Sequence, residues 1–230
     1  MNSVIMEIGK KELKTTFKNK AIIVPLLLAV GIPIFSIVPQ LSKAVAEGEI
    51  ASVYQLLFML LLIPTVMASL VGMNAFLNEI KWRTIKSLLV APVSEKEIFI
   101  GKSLASLTTG LIVEICLVVL ILVFLPIVVD IPILIILLVI GPLLVLFATF
   151  LIIAATSRFP SSAEGGAANF IPVGGILAVF FLGVFMQNLL KIDDPILTNI
   201  MVALVLAIVT FVTYIIAIKW FNRERLVVGL

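Results

Sequence analysis

Long apolar stretches alternate with short polar connections along almost the whole chain. Six of these stretches reach the roughly 20 mainly apolar residues that a helix needs to cross a bilayer. They cover residues 21–40, 54–77, 101–127, 131–156, 167–190 and 196–220. The pattern predicts an all-α integral membrane protein with six transmembrane helices, because helices satisfy their own backbone hydrogen bonds in lipid. The hydrophobic share of 62% supports this class, since soluble domains contain roughly 45–50% apolar residues.

The basic residues of the connections fall almost entirely on one side of the predicted bundle. Of the 16 lysines and arginines, all but Lys43 and Lys191 lie on the side of the N-terminus. The positive-inside rule therefore predicts a cytoplasmic N-terminus, and the even number of spans returns the C-terminus to the same side. We expect a multi-pass protein of the plasma membrane. The net charge of +3 comes from lysines beside membrane spans, where anionic lipids attract them, so we expect no nucleic-acid binding.

The first 20 residues have the pattern of an amphipathic helix. On a helical wheel one arc is mostly apolar and contains Ile5, Met6, Gly9, Leu13 and Phe17. An adjoining arc carries Lys10, Lys11, Lys14 and Lys18. The pattern predicts a helix that lies in the membrane interface, with its apolar arc toward the acyl chains and its lysines toward the headgroups. The alternative is a basic tail that only sets the topology.

Four prolines inside the predicted spans indicate where the helices depart from straight rods. Proline removes a backbone donor and clashes with the preceding turn, so kinks are expected at Pro33, Pro64, Pro142 and Pro172.

The connection between the second and third spans, residues 78–100, is the longest and most charged on the cytoplasmic side. Residues 81–90 lack glycine and proline and predict a short helix, which Pro92 ends. Ser94, followed three residues later by Glu97, has the pattern of a capping box that starts the next helix. Two helical pieces joined by a turn would suit docking onto another protein, and a solvated loop is the alternative.

Within this connection, the run over residues 79–102 resembles the signature segment of type 2 ATP-binding cassette (ABC) transporter permeases, including sodium-exporter-like and drug-exporter-like members. The residues that match the family pattern in type and spacing are Glu79, Thr84, Leu88, Leu89, Pro92, Val93, Ser94, Ile98, Gly101 and Lys102. Arg83 stands where the family usually has glycine. The lysine-rich N-terminal segment, the polar stretch 157–164 and the tail 221–226 are similar to other parts of such permeases.

The resemblance implies a single permease domain over residues 1–230. Its parts would be an elbow helix at 1–20, a cytoplasmic coupling segment with a coupling helix at 78–100, and a cytoplasmic tail at 219–230. The coupling segment would contact a cytoplasmic ABC ATPase subunit through residues that include Glu79, Arg83, Thr84, Lys86, Leu88, Leu89, Pro92, Ser94 and Lys102. The functional unit implied is an exporter with two permease chains, as a homodimer or pseudo-dimer.

ATP hydrolysis is assigned to the separate subunit. The chain has no Gly-x4-Gly-Lys-[Ser/Thr] phosphate-binding loop, because Gly101-Lys102-Ser103 lacks the first glycine and the preceding strand. We therefore expect no enzyme activity and no bound cofactor in this chain, with ATP and Mg held by the partner ATPase.

A few ionisable residues remain as candidates for other roles. Glu114 lies about 13 residues into the predicted third span, roughly 20 Å from its start. An ionisable group at that depth is costly and usually faces the bundle or a wet path, so Glu114 is a candidate for the translocation path. The alternative is a structural hydrogen bond, with Glu114 as the neutral acid. Arg158 and Glu164 are candidates for an interchain or cytoplasmic contact. Asp193 and Asp194 are expected in a solvated outer turn, with a cation exit site as the alternative.

Several other function classes lack the residues they need. The sequence has no histidine, and its single cysteine, Cys116, lies within a span, so neither a metal site nor a disulfide framework is predicted. A membrane enzyme would need a set of activated groups that this composition does not supply. Few membrane acids and no visible repeat disfavour a proton-coupled antiporter. A secondary transporter or ion channel, or a non-transporting membrane scaffold, remains the alternative to the exporter.

Overall fold

The computed structural model describes residues 2–18, 20–81, 94–124, 130–158, 174–175, 177–178, 181 and 194–221. Over these residues the chain is helical and contains no strand, which confirms the all-α class. Four stretches are long and apolar enough to cross a membrane: Ser52–Ala75, Glu95–Val123, Ile131–Arg158 and Pro195–Trp220. They correspond to the predicted second, third, fourth and sixth spans, and they fit a multi-pass membrane protein.

The count of six spans stays a prediction. The predicted first span, 21–40, lies inside a described helix, Lys20–Glu47. The predicted fifth span, 167–190, lies mostly outside the described residues.

The described helices are labelled in chain order: α1 (Asn2–Lys18), α2 (Lys20–Glu47), α3 (Ile50–Leu60), α4 (Leu62–Lys81), α5 (Glu95–Phe124), α6 (Ile131–Ile135), α7 (Gly141–Arg158) and α8 (Pro195–Trp220). Between α6 and α7, the five residues Ile136–Ile140 form a π-helical turn. α5 packs against α1, α4 and α7, and α8 packs mainly against α7.

The turn between α2 and α3 is shorter than the predicted outer connection, 41–53. Helix α2 continues to Glu47, and Gly48 then adopts a left-handed conformation with φ of 73°. The Gly48 N–H donates to the Val45 carbonyl at 3.2 Å, and the Glu49 N–H donates to the Ala44 carbonyl at 3.0 Å. This is the Schellman arrangement, in which glycine tolerates the positive φ that ends the helix.

The prolines have different effects in the structure. A break at Leu61 separates α3 from α4, three residues before Pro64, which has no N–H to donate to the Leu60 carbonyl. Pro142 is the second residue after the π-helical turn. Helix α2, by contrast, is continuous through Pro33. Pro172 lies outside the described residues.

Two buried clusters join the helices at opposite ends of the bundle. Toward the predicted outer side, leucines and isoleucines of α3, α5 and the π-helical turn form one cluster, which includes Leu57, Leu60, Leu117, Ile121 and Ile136. Toward the predicted cytoplasmic side, the rings of Phe99, Phe150, Tyr214 and Phe221 make contacts with centroids 5.1 to 6.3 Å apart. Such aromatic contacts bring α5, α7 and α8 together.

Apolar side chains remain exposed on the opposite faces of α5 and α8. Examples are Ile115, Val123, Leu204, Ile208 and Phe211, each more than half exposed. These faces are the ones expected to meet lipid or further helices.

Candidate functional site

Most of the predicted coupling residues lie outside the part of the chain that the structure describes. Arg83, Thr84, Lys86, Leu88, Leu89 and Pro92 lie outside the described residues, and Glu79 lies in α4 with its side chain outside them. Ser94 and Lys102, at the end of the segment, are described, and each makes specific contacts.

Ser94 begins α5. Its hydroxyl lies 3.3 Å from the Glu97 N–H that donates to it, while the Ser94 N–H donates to Glu97 Oε2 at 2.8 Å. The predicted capping box is therefore confirmed. Because of it, α5 starts at Glu95, six residues before the predicted start of the third span. The last residues of the predicted coupling segment, 95–100, thus form the first turns of a helix that is long and apolar enough to cross a membrane.

Replacing this cap gives a small and specific prediction. Ser94→Ala is expected to destabilise the protein by about 1 kcal/mol, because the first turn of α5 loses a side-chain acceptor. The loss is to be measured as reduced thermal stability of the purified chain in mild detergent. Lys96→Ala, an exposed change in the same turn, serves as the matched control, and an equal loss in both variants would contradict the role of the cap.

Lys102 is buried in an ion pair. Only 1% of its surface is exposed, and its Nζ donates to Glu12 Oε1 at 2.9 Å and to the Ala75 carbonyl at 2.6 Å. One side chain of α5 therefore holds both α1 and α4. The Lys102 ammonium group is not at the surface of this chain. Lys102 would therefore act in coupling only indirectly, through its bond to Glu12.

Helix α1 lies close to the start of α5 because two glycines face each other there. A Cβ atom at Gly101 would lie 2.8 Å from Ile8 Cβ, and one at Gly9 would lie 3.3 Å from the Gly101 carbonyl oxygen. The buried face of α1 consists of Gly9, Glu12 and Thr16. This face differs from the predicted apolar arc, of which Gly9 packs against protein while Met6 and Phe17 are about half exposed.

Glu12 is a functional candidate that sequence reasoning missed. It is the one acid within the lysine-rich run 10–14 and lies three residues after Gly9. Because residues three apart share a helix face, the position of Glu12 after Gly9 was the available sequence signal for its place on that face.

The buried side of α5 carries a polar stripe. Lys102, Ser106, Gly110 and Glu114 are spaced four residues apart, so they follow one ridge of the helix, and all are buried. The Ser106 hydroxyl donates to the Ala68 carbonyl at 2.6 Å and lies 3.0 Å from Thr149 Oγ1. It therefore connects α4, α5 and α7.

Glu114 lies near the middle of the membrane-spanning region. It is nine residues from the end of the Glu95–Val123 stretch, and Gly141 is ten residues from the start of Ile131–Arg158. At the helical rise, both distances correspond to about 15 Å, half of a hydrocarbon core that is about 30 Å thick. Glu114 and Gly141 therefore lie at similar distances from the predicted outer ends of their helices.

The Glu114 carboxyl is buried against a notch in α7. The residue is 2% exposed, and neither carboxyl oxygen has a hydrogen-bond partner within the described part of the chain. A Cβ atom at Gly141 would overlap Glu114 Oε1, and it would lie 3.1 Å from Leu61 Cδ2. Absence of a side chain at Gly141 is what makes room for the carboxyl.

Irregular backbone surrounds this carboxyl on both neighbouring helices. Leu61 is the residue at the break between α3 and α4, and its carbonyl accepts a hydrogen bond of 2.6 Å from Thr65 Oγ1. On the other side, the Gly141 N–H donates to the Ile136 carbonyl, five residues earlier. Pro142 has no N–H, so it cannot continue this hydrogen-bond pattern to Leu137. π-Helical turns of this kind are frequent at functional sites.

The remaining candidates lie at the helix ends. Arg158 is exposed at the end of α7, and Glu164 lies outside the described residues, so their predicted contact is untested. Asp194 accepts a 2.9 Å hydrogen bond from the Ile196 N–H and caps α8, which favours the structural role over a cation exit site. Asp193 lies outside the described residues.

An open crevice lies at the predicted outer side, between the end of α2 and the start of α3. Its volume is about 520 Å³, and its lining is mostly polar, with Gln40, Lys43, Ala44, Glu47, Glu49, Ser52, Gln55, Leu56 and Met59. Lys43 and Glu47 approach each other to 3.7 Å, with 74% and 50% of their side chains exposed. Among the described residues, no three histidine, cysteine, aspartate or glutamate side chains are grouped to hold a metal ion.

No protein-family model matches this chain, and no curated protein matches it.

Proposed function

We propose that this chain is the membrane-spanning permease subunit of an ABC exporter in the plasma membrane. It works as a homodimer or pseudo-dimer, with both termini in the cytoplasm, and a separate ATPase subunit hydrolyses ATP. One observation carries the proposal. The segment 79–102 ends within α5, and α5 begins at the Ser94–Glu97 capping box. The same segment bears the resemblance to ABC permeases.

The contacts at the start of α5 support a mechanical role for this segment. Within the described residues, the end of the coupling segment (95–100) and the membrane span are parts of one capped helix that begins at Glu95. A displacement of the segment by an ATPase subunit therefore moves α5 as a rigid body. The Lys102–Glu12 ion pair passes this displacement to α1, and the Ser106 hydrogen bonds pass it to α4 and α7.

The proposal is tested by the loss of the ATPase partner. Lys86→Glu, and separately Leu88→Asp with Leu89→Asp, are expected to abolish co-purification of the ATPase subunit that accompanies the unaltered chain, because they alter the docking residues. Membrane insertion should stay intact. Lys43→Glu, on the predicted outer side, is the matched control and should retain the partner. If no ABC ATPase accompanies the unaltered chain, or if the coupling variants retain full ATPase coupling, the proposal is wrong.

The cargo is to be identified with the reconstituted complex. Proteoliposomes containing the chain and its ATPase should show ATP-dependent efflux of one cargo from a panel that includes sodium and amphipathic drugs. This measurement also tests the direction of transport, which the resemblance alone supplies.

A secondary transporter or ion channel is the second candidate, and buried Glu114 is the observation that favours it. The two candidates differ in their need for ATP. Flux through proteoliposomes that contain only this chain would favour the second candidate, whereas the exporter requires the ATPase.

A further inference from the structure

The Glu114 carboxyl occupies a position that its charged form tolerates poorly. Both oxygens are buried near the middle of the membrane-spanning region, and neither has a hydrogen-bond donor in the described part of the chain. Burying an ionised carboxylate without a partner is costly, since it loses its hydration and gains nothing in exchange. A neutral carboxylic acid also loses hydrogen bonds to water at this position, but its burial costs much less than that of the ionised form.

No charged group of the described residues compensates Glu114. On its own helix the nearest is Lys102, three turns away, or about 18 Å along the axis, and already paired with Glu12. Tyr54 lies near the outer end of α3, where its hydroxyl donates to Asp130. On α7 the charged residue is Arg158, at the cytoplasmic end. On α4 the charged residues are Glu79 and Lys81 in the last turn, and their side chains are outside the described part.

The surroundings fit a proton better than a metal cation. A metal ion of the alkali or alkaline-earth type needs several oxygen ligands. Among the described residues, no three histidine, cysteine, aspartate or glutamate side chains are grouped to hold a metal ion, and the side chain that meets the Gly141 notch beside Glu114 is the apolar Leu61. A proton needs a single acceptor oxygen, which Glu114 itself supplies.

We propose that Glu114 is a proton-binding site inside the membrane, and that loss of its proton separates α5 from α7 at Gly141. The protonated acid fits into the Gly141 notch. The carboxylate formed on proton release requires water, and it gains water only when the notch opens.

The π-helical turn Ile136–Ile140 is the element that can absorb this movement. A π-helical turn contains one residue more than the α-helical turn it replaces. Its conversion to α-helix rotates α6 by about 100° relative to α7, because one residue corresponds to that angle. The turn directly precedes Gly141, so opening of the notch acts on it first.

The first test is spectroscopic and uses the purified chain in nanodiscs without any ATPase. The infrared spectrum at about pH 7 is expected to contain the carbonyl stretch of one protonated carboxylic acid, which disappears on alkalinisation. Glu114→Gln should lack this band, and Glu47→Gln, a change of an exposed acid, should retain it. Absence of the band from the unaltered chain, or its persistence in Glu114→Gln, overturns the proposal.

The second test concerns stability. If the folded chain holds a proton that the unfolded chain releases, stability falls as pH rises, and the unfolding equilibrium constant increases up to tenfold per pH unit. Glu114→Gln removes this dependence over the same pH range. Equal pH slopes in both proteins would contradict proton binding at Glu114.

The third test follows the separation itself. Cys116 is the single cysteine of the chain and is exposed on α5. Spin labels on Cys116 and on Leu138→Cys, an exposed position in the π-helical turn, should move apart at alkaline pH. The distance should stay constant in Glu114→Gln. An unchanged distance in the otherwise unaltered protein overturns the movement, and none of these tests depends on the exporter proposal.

Discussion

Lys102→Met is expected to lower the free energy of unfolding by about 3–5 kcal/mol, the usual cost of removing one partner of a buried ion pair. The Glu12 carboxyl would stay buried against α5 without its cation, and the Ala75 carbonyl would lose its side-chain donor. The loss is to be measured by chemical unfolding of the purified chain in mixed micelles. α1 should become accessible to protease before the rest of the chain unfolds.

Two further variants separate the ion pair from the packing of its side chains. Combining Lys102→Met with Glu12→Met should recover most of the lost stability, because an apolar pair of similar volume replaces the buried charges. Lys43→Met breaks an exposed pair with Glu47 and should change the stability by no more than about 1 kcal/mol. If Lys102→Met costs no more than Lys43→Met, the buried pair does not hold α1 in place.

Gly141→Ala is expected to destabilise the chain by about 1–3 kcal/mol, as overpacked sites do. In an ordinary helix the same change stabilises by about 1 kcal/mol, since alanine has the higher helix propensity. The sign reverses here because the added Cβ overlaps Glu114 Oε1 and approaches Leu61. Unfolding in mixed micelles measures the difference.

The matched control for this prediction lies in α2. A Cβ atom at Gly31 would meet no atom within 4 Å, so Gly31→Ala should be neutral or stabilising. In a Glu114→Ala background the carboxyl is gone and only the 3.1 Å approach to Leu61 remains, so Gly141→Ala should lose most of its cost. A stabilising Gly141→Ala in the unaltered chain would mean that the Glu114 carboxyl does not occupy the notch.

Local signals in the sequence were sufficient for several of these features. The Ser94–Glu97 capping box was predicted because both partners lie within one helical turn, and the structure confirms it. Apolar stretches of sufficient length gave four of the membrane helices, since bilayer thickness sets the required length. Pro64 indicated an irregularity, although the break occurs at Leu61.

Contacts between distant residues were beyond such signals. Glu12 and Lys102 are 90 positions apart, and the position of Glu12 on the face of Gly9 does not show that this face is buried or that Glu12 pairs with Lys102. The packing of α1 on α5 selected that face. The amphipathic pattern of α1 indicates affinity for a membrane interface. The close approach of Gly9 to Gly101 determines which residues of α1 are buried against the rest of the protein.

By itself, the sequence determined the helical class, the predicted orientation in the membrane and the presence of an ionisable residue, Glu114, deep in a span. These properties depend on local composition and on the transfer of side chains between water and lipid. Only the tertiary structure decided that Glu114 faces the Gly141 notch and that Lys102 is paired with Glu12. Both outcomes depend on how closely two helices approach, and the missing Cβ atoms of Gly9, Gly101 and Gly141 permit that approach.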